Sequence, residues 1–204
     1  AVQLLEGKSE EIITERRSPM IKYAQAYVYP PPNGFLQATY SGECIIGDLV
    51  VENARSARMV VDLFCGIGSF TLRLASTSSV LAADVNECQI KSLSNALRHC
   101  QGLKPVNTVV RDLFTDPYKA HELSKFDCVI FNPPRVGARA QAIEISKSEI
   151  SIVIAVSCES SSFARDAAIL IKGGYCLKKI IPIDQFKFTR HIEIVAVFKR
   201  KIES

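Results

Sequence analysis

The sequence of 204 residues lacks the cysteine spacings that hold metal ions or clusters. Its seven cysteines are scattered, and the closest two, Cys88 and Cys100, are twelve positions apart, so the chain contains no CxxC or CxH pair. This excludes a zinc site or a cysteine-ligated iron–sulfur cluster built within the chain. A disulfide framework is not expected either, because a chain of this length can form its own hydrophobic core. We therefore expect reduced thiols and a cytoplasmic location.

Long apolar segments are missing as well. No run approaches the roughly eighteen consecutive apolar residues of a transmembrane helix, and residues 1–17 mix Glu, Lys and Arg without the apolar centre of a signal peptide. Internal repeats and low-complexity segments are also lacking. The composition, 48% hydrophobic and 23% charged, is that of a globular protein and excludes a disordered or fibrous chain.

A strong charge imbalance is also missing, since 25 basic and 21 acidic residues leave a net charge of +4. That value alone does not argue for nucleic-acid binding. Residues 172–201, however, hold eight basic and two acidic residues. Two interpretations remain open: the lysines protect the edge strand of a sheet, or the stretch faces phosphate groups.

What the sequence does contain, from residue 59 onward, is a series of short apolar runs rich in Val and Ile. They cover residues 59–64, 80–83, 106–110, 126–131 and 150–156. Because apolar and polar residues do not alternate within them, we predict strands covered on both faces, as in a parallel sheet. Helical spacing of apolar residues predicts helices over 39–57, 86–100 and 160–172.

This alternation of strands and helices predicts a doubly wound α/β domain. Residues 175–183 and 191–198 have no room for a helix between them, so we predict an antiparallel hairpin at the sheet edge. Nearer the start, residues 20–29 are predicted to form one strand, which the Pro/Gly run at 30–34 ends.

A glycine-containing loop follows the first predicted strand of this domain. Gly66 and Gly68 allow a tight turn and a close approach of the backbone to a ligand at a helix N-terminus, although Thr71 replaces the third glycine of the dinucleotide fingerprint. Asp84 ends the next strand, where an acid can hold ribose hydroxyls, and Asp112 follows the third, where an acid can meet an adenine amino group. This set matches the S-adenosylmethionine site of Rossmann-like methyltransferases. The alternatives are an ordinary strand–helix turn and acids that only cap helices.

The fourth predicted strand ends in Asn132-Pro133-Pro134-Arg135. Two prolines hold the chain in an extended turn, which places the Asn132 carboxamide above the sheet edge. Amino-group methyltransferases carry an aromatic residue after Asn-Pro-Pro. Arg135 suits a phosphate or a uracil carbonyl instead, which argues against methylation of an exocyclic amine.

Cys158 is the candidate nucleophile. It lies between a strand C-terminus and a helix N-terminus, where the helix dipole favours a thiolate, whereas the adjacent Glu159 is expected to raise the pKa of the thiol. In the last strand Glu193 is the candidate general base. The alternatives are a core cysteine, a solvent-exposed Glu193, and a cysteine hydrolase that pairs Cys158 with His191.

Several segments in this order resemble the RNA 5-methyluridine methyltransferases. They are Gly34-Phe35-Leu36-Gln37-Ala38, Asp62-Leu63-Phe64-Cys65-Gly66-Ile67-Gly68, Asn132-Pro133-Pro134-Arg135-Val136-Gly137-Ala138, Val156-Ser157-Cys158, Phe163-Ala164-Arg165-Asp166, Asp184-Gln185-Phe186 and His191-Ile192-Glu193. The resemblance implies a Rossmann-like class I methyltransferase fold, a mostly parallel seven-stranded sheet with an antiparallel C-terminal edge hairpin. It divides the chain into a remnant at 1–35 and an S-adenosylmethionine-dependent catalytic domain at 36–204.

The resemblance also implies a reaction, which is methylation of uracil carbon 5 in RNA, ribosomal RNA rather than transfer RNA, through a covalent adduct. Cys158 would be the nucleophile and Glu193 the base, with Pro133 and Arg135 at the substrate. The implied cofactor residues are Gln37, Phe64, Gly66, Gly68, Ser69, Asp84, Asp112 and Asn132. Neither a metal nor an iron–sulfur cluster is expected in this chain. The alternative is a truncated methyltransferase that binds cofactor or RNA without catalysis.

Overall fold

The computed structural model describes residues 2–6, 9–14, 17–32, 34–186, 188–189 and 191–201, with side chains from residue 17 onward. The strands are β1 (Val2–Glu6), β2 (Ser9–Thr14), β3 (Ile21–Tyr23), β4 (Ala26–Val28), β5 (Met59–Leu63), β6 (Ser79–Asp84), β7 (Val106–Val110), β8 (Cys128–Phe131), β9 (Ile152–Ser157), β10 (Tyr175–Ile183) and β11 (Glu193–Arg200). The helices are α1 (Tyr40–Ala54), α2 (Ser69–Leu74), α3 (Glu87–Arg98), α4 (Ala120–Leu123), α5 (Arg139–Lys147) and α6 (Ser160–Lys172).

Seven of these strands form one sheet in the order β10-β11-β9-β8-β5-β6-β7. The five strands from β5 to β9 run parallel, and β11 pairs antiparallel with both β9 and β10. This confirms the predicted α/β class, the seven-stranded sheet and the C-terminal hairpin. Because all five parallel strands point the same way, the loops that follow them meet at one edge of the sheet.

Helices cover both faces of the sheet, which explains why the strands read as continuous apolar runs. On one face α1, α2 and α3 pack through residues such as Ile46, Phe70 and Leu93. On the other face α4, α5 and α6 pack through Leu123, Ile145 and Leu170. None of the helices in the described part of the chain combines the length and the hydropathy that crossing a bilayer requires.

The prediction of one strand over residues 20–29 is wrong. The segment forms the hairpin β3–β4, because the chain reverses at Ala24, whose φ of 50° is left-handed. Neither turn residue is Gly, Asn or Asp, so the usual hairpin signal is missing. Tyr23, Ala26 and Val28 of this hairpin are buried in a cluster with residues of α2 and α3.

The basic C-terminal stretch lies mainly away from the sheet edge where the parallel strands end. Lys199 pairs with Ile152 at the start of β9, whereas Ile194 pairs with Ser157 at its end. Five residues of strand separate the two pairs, which is about 17 Å. Lys178 and Lys179 lie on the edge strand β10, which favours the edge-protection interpretation for the described lysines. The basic Lys187 and Arg190 fall outside the described residues.

Candidate active site

The glycine loop joins β5 to α2 and needs its glycines. Gly66 and Gly68 have φ values of 56° and 85°, and a Cβ on Gly68 would clash with Leu93 of α3. Phe64 also adopts a positive φ, 62°, which is unusual for an aromatic residue and marks a strained turn. The loop therefore places backbone without side chains just before α2, whose first residue is Ser69.

Asp84, at the end of β6, is hydrogen-bonded to the glycine loop. Its carboxylate accepts hydrogen bonds from the backbone N–H of Gly66 and of Asn86, both at 2.9 Å. The cap of α3 is Asn86 itself, whose side chain accepts from Gln89 N–H. Asp84 is thus not the cap of that helix, which removes the capping alternative for this acid.

Asp112 lies just beyond the neighbouring strand β7, so its carboxylate sits at the same edge as Asp84. One carboxylate oxygen accepts from Phe114 N–H at 2.9 Å, and backbone donors hold the pKa of this carboxyl below its usual range. Each of these two acids has an exposed apolar neighbour in the sequence. Val85, which follows Asp84, is 56% exposed, and Phe114, two positions after Asp112, is 44% exposed. The Phe114 ring lies 5.6 Å from that of Phe64. Carboxylates and apolar faces therefore occur side by side.

Beneath the glycine loop, Asp62 of β5 is fully buried, a feature that sequence reasoning missed. Thr71, which replaces the third glycine of the fingerprint, donates to Asp62 Oδ2 at 2.6 Å. Oδ1 has no hydrogen-bond partner among the described residues. Burial, only partly opposed by the Thr71 hydrogen bond, raises the pKa of Asp62 to about 7. Thr71 therefore ties α2 to β5 through a carboxyl that holds its proton near neutral pH.

The Pro-Pro loop begins where β8 ends. Asn132 N–H donates to Leu63 O of the adjacent strand at 3.3 Å, Pro133 is buried, and Arg135 is exposed. The prolines thus connect a fixed end, bonded to the sheet, to an arginine that solvent can reach.

Arg165 and Asp166 of α6 hold the far end of this loop. Asp166 accepts from Ala138 N–H at 2.8 Å, and Arg165 donates to Val136 O at 3.0 Å. A Cβ on Gly137, whose φ is 70°, would clash with Arg165. The sequence alone gives no role to Arg165 and Asp166, and the structure shows that both side chains hold the Pro-Pro loop.

Cys158 and Glu193 meet across the β9–β11 ladder. Ser157, which precedes the cysteine, pairs with Ile194, which follows the glutamate. Burial raises the pKa of the Cys158 thiol and the Glu193 carboxylate raises it further, while Arg135 opposes both by hydrogen bonding and charge. The net result is a Cys158 pKa above the ordinary value of a thiol, so the position before a helix N-terminus does not by itself yield a thiolate here. The group that stabilises a Cys158 thiolate is Arg135.

Glu159 does not direct its charge at the cysteine. Its carboxylate accepts hydrogen bonds from Ser161 N–H and Ser161 Oγ at 3.3 and 2.9 Å, so it caps α6. The backbone N–H groups at the helix start stabilise this negative charge. The carboxylate whose charge raises the Cys158 pKa is that of Glu193.

The position of His191 does not support the alternative of a cysteine hydrolase that pairs Cys158 with His191. The ring of His191 packs edge-on against Phe186, with ring centres 6.3 Å apart. Glu193 faces the thiol instead, as its effect on the pKa of Cys158 indicates. In the described ranges, no group of three or more His, Cys, Asp or Glu side chains could hold a metal ion.

A chain of hydrogen bonds connects Gln37 to Glu193. Gln185 Nε2 donates to Gln37 Oε1 at 2.8 Å and to Glu193 Oε2 at 2.9 Å. Glu193 is only 3% exposed, and this burial raises its pKa, which the Gln185 hydrogen bond partly offsets. Gln185 lies in the Asp184-Gln185-Phe186 segment of the family resemblance, but no local spacing in the sequence reveals its contact with Gln37.

Comparison with known sequences places the chain among RNA-modifying proteins. The profile of a family described as tRNA (Uracil-5-)-methyltransferase matches residues 33–201. An uncharacterized RNA methyltransferase of Brucella suis is 45% identical over 190 residues, which is 93% of this chain and 46% of that protein. The 23S rRNA (uracil(1939)-C(5))-methyltransferase RlmD of Alteromonas naphthalenivorans is 32% identical, over 86% of this chain and 38% of that protein. The chain spans about half the length of the relatives that it matches.

Among solved structures, a Pyrococcus abyssi tRNA (uracil-54, C5)-methyltransferase in complex with S-adenosyl-L-homocysteine has the same fold. It aligns with a TM-score of 0.78 and 23% identity over 95% of this chain and 48% of its own. This confirms the class I methyltransferase fold that the sequence predicts. Because the family profile covers most of the chain, the protein belongs to the tRNA (uracil-5-)-methyltransferase family.

Proposed function

We propose that this chain methylates carbon 5 of a uridine in RNA, with S-adenosylmethionine as the methyl donor and through a covalent bond between Cys158 and the uracil. The observation that carries the proposal is the placement of Cys158, Arg135 and Glu193 together at the edge where the parallel strands end. Family membership supports the reaction class, and this trio of side chains supports the covalent mechanism.

The residues at the glycine loop fit the proposed cofactor. The loop exposes backbone N–H groups at the start of α2, the carboxylates of Asp84 and Asp112 suit ribose hydroxyls and an adenine amino group, and Val85 and Phe114 supply apolar faces for the ring. The cofactor, when bound, supplies an electrophilic methyl group on a sulfonium. We assign its binding to Gln37, Phe64, Gly66, Gly68, Ser69, Asp84, Asp112 and Asn132.

Cys158 would start the reaction on the uracil. Its thiol loses a proton to solvent, and the sulfur then bonds to carbon 6 while the electrons of the 5,6 double bond move onto the carbonyl oxygen at carbon 4. Arg135 stabilises the thiolate before the attack, and with Pro133 it would hold the base. The resulting enolate makes carbon 5 nucleophilic enough to take the methyl group.

Glu193 would finish the reaction. Its carboxylate removes the proton from carbon 5, the 5,6 double bond reforms, and the Cys158 sulfur leaves with the electrons of the carbon–sulfur bond. A carboxylate whose pKa burial has raised is a stronger base than one in water. The target uridine must be unpaired or flipped out of its helix, because both side chains act on the ring face and edge.

Two finer assignments complete the proposal. We assign ribosomal RNA rather than transfer RNA as the substrate, because a relative that is 32% identical is a 23S rRNA methyltransferase. We assign residues 1–35 to an N-terminal segment and 36–204 to the catalytic domain, and the need for a reduced Cys158 fits a cytoplasmic location.

RNA that contains 5-fluorouridine tests the covalent mechanism. Glu193 cannot remove fluorine from carbon 5, so the adduct cannot decay and should accumulate as a complex that survives denaturing gel electrophoresis. We expect this complex with S-adenosylmethionine and wild-type protein on a 23S rRNA transcript. Transfer RNA transcripts are the second arm, and an adduct on them alone would overturn the ribosomal assignment.

Matched cysteine variants control this experiment. Cys158→Ala should form no adduct, whereas Cys176→Ala, which removes a half-buried thiol from β10, should form it as the wild type does. Glu193→Gln should lower turnover on ordinary RNA by ~10²–10⁴-fold. Absence of the complex with wild type, or an equal amount with Cys158→Ala, would contradict the proposed mechanism.

A further inference from the structure

Gln185 lies in the loop between β10 and β11 and is only 6% exposed. Its side-chain amide contacts residues that are far apart in the sequence. The two Nε2 protons go to Gln37 Oε1, 148 positions away, and to Glu193 Oε2, eight positions away. Gln37 is a proposed cofactor residue and Glu193 the proposed base, so one amide joins two parts of the site.

The orientation of this amide is fixed by its surroundings. Both partners of Nε2 are acceptor oxygens, and the opposite orientation would place the amide oxygen against them. Gln185 Oε1 is left buried with no hydrogen-bond partner in the described part of the chain. It faces Gly42 of α1, where a Cβ would clash with it. A buried oxygen without a partner lowers stability, so the polar contacts through which this side chain acts are the two donated bonds.

The hydrogen bond to Glu193 acts on one carboxylate oxygen and leaves the other to receive a proton. Because the bond favours the ionised carboxylate, it opposes the burial that raises the pKa of Glu193. The titratable group that interacts with Glu193 is Cys158 after β9, whose thiol in turn hydrogen-bonds to Arg135 of the Pro-Pro loop, and His191 lies two positions before Glu193 in the chain. On the α1 side, Glu43 is paired with Arg73 at 2.8 Å.

We propose that Gln185 is a positioning residue for the base: it aims Glu193 at the substrate and links that aim to Gln37 in the cofactor site. The inference rests on the proposed function. Gln185 itself touches no reacting atom. Its effect appears in the proton-removal step, which releases the enzyme from the methylated RNA.

The test compares Gln185→Met and Gln185→Glu with the wild type on ordinary 23S rRNA transcript. Gln185→Met keeps the length of the side chain and removes both donors. Turnover should fall about 10–100-fold through kcat, because a misaimed base is slow. A covalent RNA–protein complex should then accumulate on ordinary uracil, as it should with Glu193→Gln. Gln25→Met, a change at an exposed glutamine, should behave like the wild type.

The pH profile separates positioning from a purely structural role. Glu193 must be ionised to act, so losing the Gln185 donor moves the acidic limb of kcat to higher pH. A carboxylate at position 185 moves it further, because like charges oppose ionisation. The midpoints should therefore rise in the order wild type, Gln185→Met, Gln185→Glu. Unfolding in urea checks that each variant is folded, and Gln185→Glu, which keeps the size, serves if Gln185→Met is not.

An unchanged midpoint together with no adduct on ordinary RNA, in a folded variant, would overturn the role of Gln185. Wild-type protein that forms no adduct with 5-fluorouridine RNA would instead overturn the proposed function. The two failures are therefore distinguishable in the same set of reactions.

Discussion

At the scale of single residues, burial sets the proton affinities at the sheet edge. Cys158, Glu193 and Asp62 each have a raised pKa, and in each case loss of contact with water is the largest cause. Their neighbours differ, since Arg135 opposes the shift at Cys158 and Gln185 at Glu193. The thiol and the carboxylate thus each have a partner that favours ionisation, as the proposed reaction requires of both.

Asp62 provides a prediction about the pH dependence of stability. Its pKa of about 7 lies above its ordinary value of 3.8, so between these values the folded protein keeps a proton that the unfolded chain releases. The stabilisation is complete below pH 4 and is lost as the pH rises towards 7. Asp62→Asn has no such proton. As the pH rises through this range, the wild type should lose stability and the variant should not. The free energy of unfolding of Asp62→Asn minus that of the wild type should therefore increase by at most about 1.4 kcal/mol per pH unit.

Urea unfolding of both proteins between pH 5 and 8 measures this difference. Asp48→Asn, at a carboxylate that is 80% exposed, is the control and should show little change with pH. A difference between Asp62→Asn and wild type that stays constant from pH 5 to 7 would contradict a protonated Asp62.

Sequence reasoning reached residues with a local signal and missed those defined by distant contacts. Glycines, the Asn-Pro-Pro loop and a cysteine at a strand end are visible in a short window. The contact of Gln185 with Gln37 spans most of the chain, and the burial of Asp62 depends on α2 above it. The roles of the site residues stay predictions, whereas their shared location at one edge is a structural result.

At the scale of elements, the spacing of apolar residues predicted α1, α3, α6 and the parallel strands, but it did not predict α4, α5 or the turn between β3 and β4. The helix predicted at 39–57 is α1, and the runs that predicted strands lie in β5 to β9. The β3–β4 hairpin was missed because Ala24 carries the turn without a glycine. Backbone strain of this kind depends on packing, here the burial of Tyr23 and Val28.

The start of α6 provides a prediction for an element. Ser160 is its first residue, and Glu159 before it has φ −132° and ψ 111°, the extended conformation that a following proline prefers. Ser160→Pro should therefore stabilise the protein by about 0.4–1 kcal/mol, since proline restricts the unfolded chain. Ser161→Pro is the matched control and should destabilise it, because the Ser161 N–H donates to Glu159. Urea unfolding distinguishes the two, and equal effects would show that the cap bond is unimportant.

At the scale of the whole molecule, the sheet leaves β10 as an open edge. Three devices on this strand discourage pairing with another chain: a bulge between Leu177 and Lys179, the lysines themselves, and Pro182. The position of the hairpin at one side of the sheet was predicted from the sequence, because residues 175–183 and 191–198 leave no room for a helix between them, whereas the order of the parallel strands was not. The bulge between the pairs Leu177–Phe198 and Lys179–Val197 was not predicted, because no glycine or other local signal marks it.

The two lysines of this edge provide the prediction for the whole molecule. Lys178→Thr combined with Lys179→Thr should increase self-association, measured by sedimentation at increasing protein concentration, because Leu177 and Ile180 are exposed on the same strand. RNA affinity should keep its dependence on salt. If the lysines instead contact phosphates, the slope of log K against log salt should fall by about one for each lysine. That result would favour the phosphate-facing interpretation.

The pairing of Ser157 with Ile194 makes the proposed chemistry depend on strand register. Side chains alternate along a strand, so a shift of β11 by one residue would turn Glu193 to the opposite face of the sheet, away from Cys158. A length change between β10 and β11 keeps the register of β11 against β9, but it would displace Gln185, which lies in that loop and donates to Glu193. A single insertion or deletion inside β11 would turn Glu193 away from Cys158, even though the sequence would still contain every residue of the site.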